Sequence, residues 1–199
     1  VAIQVQIIPQ SHTLDARIGG KLKSLRLASN LTIEALAARS AVSRAMISKI
    51  ERGEASPTAA LLARLANALG ATLSQFFGDA SEEGPLARAA SKPVWRDPAT
   101  GYFRRAVTPD SFPADIVDVT LPPGVSVAYD NAVPLAIEQA VWVLEGALEL
   151  TVGDAVHALS PGDCLQMRLD RPIAYRNRTA ADTRYAVVLA RGWLPGAQR

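Results

Sequence analysis

The hydrophobic period of this 199-residue chain changes once, near Pro93, so the two halves need different kinds of core. Before that point apolar residues recur at three- and four-residue steps: Ile18, Leu22 and Leu25, then Leu36 and Ala37, Ile47 and Ile50, and Leu61, Leu65 and Leu69. That spacing gathers them on one face of successive helices. Beyond it they alternate, as in Val117, Val119 and Leu121, then Val125 and Val127, then Leu148, Leu150 and Val152, with further runs at 141–144, 165–169 and 185–189. A period of two belongs to strands. Pro122-Pro123-Gly124, Glu145-Gly146, Gly153-Asp154 and Pro161-Gly162-Asp163 separate these runs, and turns so closely spaced predict a β-sandwich or small barrel.

Punctuation sets the expected boundaries. Residues 1–14 show no clear period and read as a loose arm, and 15–77 as an all-α domain of four helices and a short fifth. Thr32, Ser43 and Thr58 are good N-cap residues, and Gly53 and Gly70 mark helix ends. The small, polar, proline-broken stretch 78–93 reads as a linker, leaving 94–199 for an all-β domain.

Charge divides along the same line. Residues 1–77 hold nine Lys/Arg against four Asp/Glu, a formal charge of +5, which leaves −3 for the remainder of a chain whose net charge is +2. A basic half facing polyanions beside a mildly acidic half fits a nucleic-acid binder with a separate sensor. No apolar run approaches the roughly 20 residues needed to span a bilayer, and residues 1–10 lack the pattern of a secretory signal. Cys164 is the single cysteine and has no internal partner for a disulfide. A cytoplasmic protein without a membrane association is expected.

The segment LTIEALAARSAVSRAMISKIERG (31–53), continued by ASPTAALLARLANALGATLSQFF (55–77), resembles the lambda-repressor-like (XRE) helix-turn-helix regulators. In that resemblance Thr32 opens the first helix of the motif, Ala41-Val42 make the turn and residues 43–52 form the recognition helix. Such a helix buries one face, here Met46 or Ile47 with Ile50, and keeps the other free of bulky apolar groups so that it can enter the major groove. The free face carries Ser43, Arg44, Ala45, Ser48 and Lys49. Arg44 and Lys49 can donate to guanine, Ala45 can touch a thymine methyl, and Ser43 can cap the helix and meet a phosphate. The backbone N–H groups of Thr32 and Ile33 offer a second phosphate contact at a helix N-terminus. The resemblance further implies a buried Arg26–Glu51 ion pair tying the first helix to the third, and it departs from the family at Ala41, where glycine is common because φ is positive.

The second half, through PPGVSVAYDNA, EQAVWVLEGALEL and LSPGDCLQMRLDRPIAYRN, resembles the cupins, which are double-stranded β-helix barrels. A helix-turn-helix domain followed by a cupin is a familiar arrangement of XRE regulators. Counting from Gly124, Gly146 and Asn177, the positions of the cupin metal ligands hold Asp130, Ala132, Gln139 and Ile173, and none is histidine. One carboxylate and one amide make a poor set for zinc or iron, so no metal, no cofactor and no catalysis are expected. His12 and His157 read as surface residues. Alternation places Asp130 and Gln139 inward with Tyr175, among Ser126, Ala128, Val141 and Val143, and a pocket with one carboxylate favours a cationic or hydrogen-bond-donating effector. Trp142, one residue out of phase, is expected on the outer face or at a dimer contact.

Together these readings describe a homodimeric regulator that grips an inverted-repeat operator in double-stranded DNA and responds to a small molecule in a metal-free cupin. Two alternatives share the architecture. One is a cupin enzyme with an XRE-like helical domain, as in certain phosphonate epoxidases. The other is a constitutive regulator whose cupin only dimerises.

Overall fold

A computed structural model of the chain describes residues 10–77, 84–92, 94–109, 112–131 and 137–191. Residues 1–9, most of the expected arm, lie outside the described residues, as do the side chain of His12, linker positions 78–83 and 93, and Ala132.

Among the described residues the helical domain has four α-helices: α1 (Gln10–Ala28), α2 (Ile33–Ser40), α3 (Arg44–Glu51) and α4 (Ala59–Leu69). The expected fifth helix is a single 3-10 turn, Leu73–Phe76, because Gly70 ends α4 in the left-handed region and only six residues separate it from Phe77. The first helix starts earlier than the expected boundary at residue 15, at Gln10, so residues 10–14 are helix rather than arm. Leu14 continues the Ile18–Leu22 stripe one turn further and is buried with it. Ile18, Leu22, Leu36, Ile47, Ile50, Leu62 and Leu65 form the fully buried centre. Thr32, Ser43 and Thr58 each accept a hydrogen bond from the backbone N–H three residues on, satisfying groups that the first turn of a helix leaves unpaired.

The β domain packs two antiparallel sheets. One holds six strands in the order β1 (Val94–Arg96), β2 (Phe103–Ala106), β3 (Ala114–Leu121), β10 (Thr183–Arg191), β5 (Ile137–Glu145) and β8 (Cys164–Arg168). The other holds β4 (Ser126–Tyr129), β9 (Ile173–Arg176), β6 (Leu148–Val152) and β7 (Ala155–Leu159). Val117, Val119, Val141, Val143, Leu148 and Leu150 fill the space between them, as alternation requires. At the β5–β6 turn Gly146 has φ +76°, and a Cβ there would lie 2.8 Å from the Asp182 carbonyl oxygen, so only glycine lets the two chain segments approach this closely.

The two domains share an interface. Phe77 packs on Trp95 with ring centroids 5.2 Å apart, and Trp95 meets Tyr102 edge-on at 5.8 Å. Buried Asp97, between β1 and β2, accepts a hydrogen bond from the Ala59 N–H at the start of α4 (3.1 Å). The same carboxylate holds its own turn through the N–H groups of Ala99 and Thr100. A carboxylate at a helix N-terminus is electrostatically favoured, so this contact clamps α4 against the barrel.

Candidate functional site

Two surfaces gather the residues singled out in the sequence. The first is α3. Ile47 and Ile50 are fully buried, and the inward residue is Ile47 rather than Met46, which is 36% exposed. Arg44, Ala45 and Lys49 are exposed along the opposite face, and Ser48 is half-buried because its hydroxyl accepts from Arg52 Nη1. Ser43 Oγ accepts from the Met46 N–H, which leaves its own proton free to donate. Arg44 Nη1 stands 3.5 Å from Glu34 Oε1, both side chains about two-thirds exposed, a contact easily exchanged for another anion.

The turn between α2 and α3 bends at Ala41, which adopts φ 53° and ψ 30°, the left-handed conformation usually left to glycine. Behind it the Arg26 guanidinium donates to both carboxylate oxygens of Glu51 at 2.7 and 2.8 Å and to the Leu31 carbonyl at 2.9 Å. With side chains only 9% and 7% exposed, this two-pronged ion pair fixes α3 relative to α1. Thr32 and Ile33 stand at the start of α2, Thr32 as its capping residue.

The second surface is a cavity of about 90 Å³ between the sheets, closed on one side by the helical domain. Ala63, Ala66 and Asn67 of α4, with Leu73 and Ser74 of the 3-10 turn, form that lid. The barrel supplies Gln139, Arg104 and the chain's four tyrosines, Tyr102, Tyr129, Tyr175 and Tyr185. Gln139 Nε2 donates to the Tyr175 hydroxyl at 2.6 Å, and Tyr175 stacks on Tyr185 with centroids 5.6 Å apart. Burial pushes the Tyr175 and Tyr185 hydroxyls far above their ordinary range, so both stay protonated.

The structure moves part of the expected pocket. On β4 the inward residues are Val127 and Tyr129, while Ser126 and Ala128 point to solvent. The strand takes this phase because it buries the valine and the aromatic ring, whereas the expected phase followed the metal-ligand positions. Asp130 lies just past the strand end, exposed at the cavity rim, and not inside with Gln139 and Tyr175. Val141 and Val143 are buried as expected, Trp142 is 48% exposed on the outer face, and His157 is half-buried in β7.

With this geometry in place, comparison with known proteins divides the chain as the structure does. The helix-turn-helix family matches residues 22–76, and the cupin domain family matches residues 117–189. This chain joins a helix-turn-helix domain to a cupin domain. Its whole fold resembles that of an HTH_3 family transcriptional regulator from Vibrio cholerae, with TM-score 0.72 at 24% identity over 92% of this chain and 99% of that one. Two other solved structures overlay more loosely. The Cupin_2 domain of an XRE family transcriptional regulator from Enterobacter cloacae has TM-score 0.43 at 19% identity, covering 46% of this chain and 97% of that one. Hydroxypropylphosphonic acid epoxidase from S. wedmorenis has 0.45 at 17% identity, covering 87% and 97%. No curated protein matches the sequence.

Many cupins hold a metal, and the donor set here does not fit one. Ile173 is buried and apolar, Gln139 presents its amide nitrogen to Tyr175, and Asp130 stands at the rim. Neither an alkyl group nor an amide N–H ligates a cation, so the cupin interior is furnished for hydrogen bonding instead. Sequence reasoning missed Arg104, Tyr102 and Tyr129. The strand β2 is short, and Phe103-Arg104-Arg105-Ala106 reads as a charged surface segment, yet its alternation sends Arg104 inward and Arg105 out to Asp118.

Proposed function

We propose that this protein is a sequence-specific DNA-binding transcriptional regulator. In this reading two copies place their α3 helices in successive major grooves of an inverted repeat, and a small molecule in the metal-free cupin barrel sets their affinity for it. The barrel binds and does not catalyse. The observation that carries the proposal is the division of α3. One face is anchored by fully buried Ile47 and Ile50 and by the Arg26–Glu51 pair, while Arg44, Ala45 and Lys49 stand exposed beyond a capped N-terminus. Arg44 and Lys49 then meet base edges, Ser48 supplies a further polar contact, and Ser43 with the N–H groups of Thr32 and Ile33 meets phosphate. Control by a ligand is supported by the cavity, whose walls come from both domains. Gln139 and Tyr175 line its interior, and Asp130 its entrance.

The test is recovery of genomic DNA fragments by the purified protein at two salt concentrations, beside Arg44→Ala. A recurrent inverted repeat that Arg44→Ala loses is the expected result, since one good base contact gives about 1–3 kcal/mol of discrimination. Binding that is weak, sequence-independent and erased by salt would sink the proposal.

A further inference from the structure

Among the residues lining the cavity, one charge is buried, and nothing described in the protein balances it. Arg104 is 8% exposed. Among the described residues its one side-chain hydrogen bond runs from Nη2 to the Ser74 hydroxyl at 2.9 Å, and its guanidinium lies 5.0 Å from the centre of the Phe77 ring. A guanidinium is permanently charged and carries five N–H donors in a planar fork. One hydroxyl and one ring face satisfy only part of it, and no acidic residue among the described residues pairs with it. Removing such a group from water is costly unless an anion compensates.

The remaining wall suits an anion with a small carbon body. The Tyr175 hydroxyl accepts from Gln139, so its own proton points elsewhere. Tyr185 is 3% exposed, and its hydroxyl bonds to nothing among the described residues. Thr72, also on the wall, is buried together with its hydroxyl. Leu73, Val119 and Leu169 supply apolar surface. Asp130 is solvated at the rim, so a cation drawn inward would leave it to sit beside Arg104. This reverses the cationic preference that Asp130 suggested in the sequence.

We propose that the cavity binds a small organic carboxylate, its carboxylate group on Arg104 and the tyrosine hydroxyls and its carbon chain against Leu73, Val119 and Leu169. On the scale on which a cavity of about 150 Å³ takes benzene, about 90 Å³ holds about four heavy atoms, a carboxylate and its first carbons, and a longer chain runs on toward the rim. Because Ser74 and Phe77 belong to the helical domain, a ligand on Arg104 competes for or braces a contact between the two domains. That consequence rests on the regulator reading, whereas the binding itself does not.

The experiment is thermal unfolding of the full chain titrated with butyrate, hexanoate and benzoate, beside butylamine, butyramide and sodium chloride at equal ionic strength. A saturable rise in midpoint is expected for one or more of the carboxylates alone, about 5–10 °C at one hundred times the Kd. Arg104→Gln should weaken it about 10- to 150-fold, and Arg178→Gln, the same change of charge at an exposed arginine outside the cavity, should leave it unchanged. Should Arg104→Gln fail to fold, Tyr185→Phe keeps the charge and removes one donor, with an expected loss of about 2- to 12-fold. No rise with any of the acids, an equal rise with chloride, an amine response lost in Asp130→Asn, or full affinity retained in Arg104→Gln or in Tyr185→Phe would each overturn the proposal. Repeating the titration against operator binding separates the two readings. Carboxylate binding without a change in operator affinity keeps the site and removes the effector role, while operator binding without carboxylate binding keeps the regulator and removes the site.

Discussion

The helical domain carries its candidate DNA-contacting residues outside, and the barrel keeps its candidate ligand-binding residues within. Arg44, Ala45 and Lys49 follow one another along a single eight-residue helix, so their arrangement is local and depends only on how that helix is anchored. The cavity draws Arg104 from β2, Tyr129 from β4, Gln139 from β5, Tyr175 from β9 and Tyr185 from β10. No short stretch of sequence contains that site, and its composition is fixed by strand phase and sheet order. A surface site of the first kind fails when its anchor fails. A site of the second kind fails when the inward face of any one strand changes.

The comparison breaks most sharply at the anchor of α3. Glu51→Ala leaves the Arg26 guanidinium without its carboxylate in a site where both side chains are nine-tenths or more buried. The expected loss is about 3 kcal/mol, at the low end for a broken buried pair, since Arg26 keeps the Leu31 carbonyl. Denaturant unfolding followed by hydrogen exchange should show the loss in 14–77 and leave strands β3, β5 and β10 protected. Uniform loss across both domains would show that the barrel leans on the helical domain more than their separate cores imply.

Backbone approach tests the same anchor without charge. A Cβ at Gly19 would stand 2.1 Å from the Ile50 carbonyl oxygen, so Gly19→Ala must push α1 away from α3. Overpacking of this kind costs about 1–3 kcal/mol, and here the upper end is expected because the obstacle is backbone. Operator binding, measured where the variant is still folded, should fall with it, since α3 loses its backing.

Legibility follows the division. The helix-turn-helix was readable because each of its signals is local: caps at Thr32 and Ser43, the stripe of Ile47 and Ile50, and the arginine and glutamate that a family pattern pairs. Even Ala41, which breaks the glycine habit, takes the left-handed turn foreseen for it. In the barrel the turns and most strands were readable, and Gln139 and Tyr175 do face each other inside. What escaped was phase and convergence. On β4 a family register competed with hydrophobicity, and hydrophobicity placed Val127 and Tyr129 inward. Arg104 escaped because two adjacent arginines on a short strand look alike until pairing with β3 separates them.

Its neighbour Arg105 supplies the smaller test on the barrel side. Asp118 accepts from Arg105 Nη2 at 2.8 Å and from Arg184 Nε at 2.9 Å. Burial raises the carboxyl pKa, but hydrogen bonds and charge from Arg184 and Arg105 outweigh it and leave it below the ordinary 3.8. A carboxylate with a lowered folded-state pKa stabilises the fold above its ordinary value and loses that contribution as pH falls through the folded one. Asp118→Asn should therefore cost about 1 kcal/mol at neutral pH, a figure reduced because both arginines keep contact with water. The difference between variant and parent should vanish in strong acid. A gap that persists there would assign the effect to packing rather than charge.

The smallest effect has the opposite sign and sits one residue from the largest steric one. Gly20 lies in the interior of α1, exposed, with nothing within 4 Å of where a Cβ would stand. Alanine there gains helix propensity and loses no contact, so Gly20→Ala should raise stability by about 0.5–1 kcal/mol. The midpoint of denaturant unfolding reads that gain directly. Because the added methyl meets nothing in a single chain, operator binding should be unchanged. A variant that is more stable yet binds the operator less well would place the Gly20 face of α1 against DNA or a second copy, extending the outward-facing site beyond α3. A variant that gains neither stability nor loses binding would mean that α1 frays at its exposed side, and that the rigidity ascribed to this domain resides in Ile18, Leu22 and Arg26 alone.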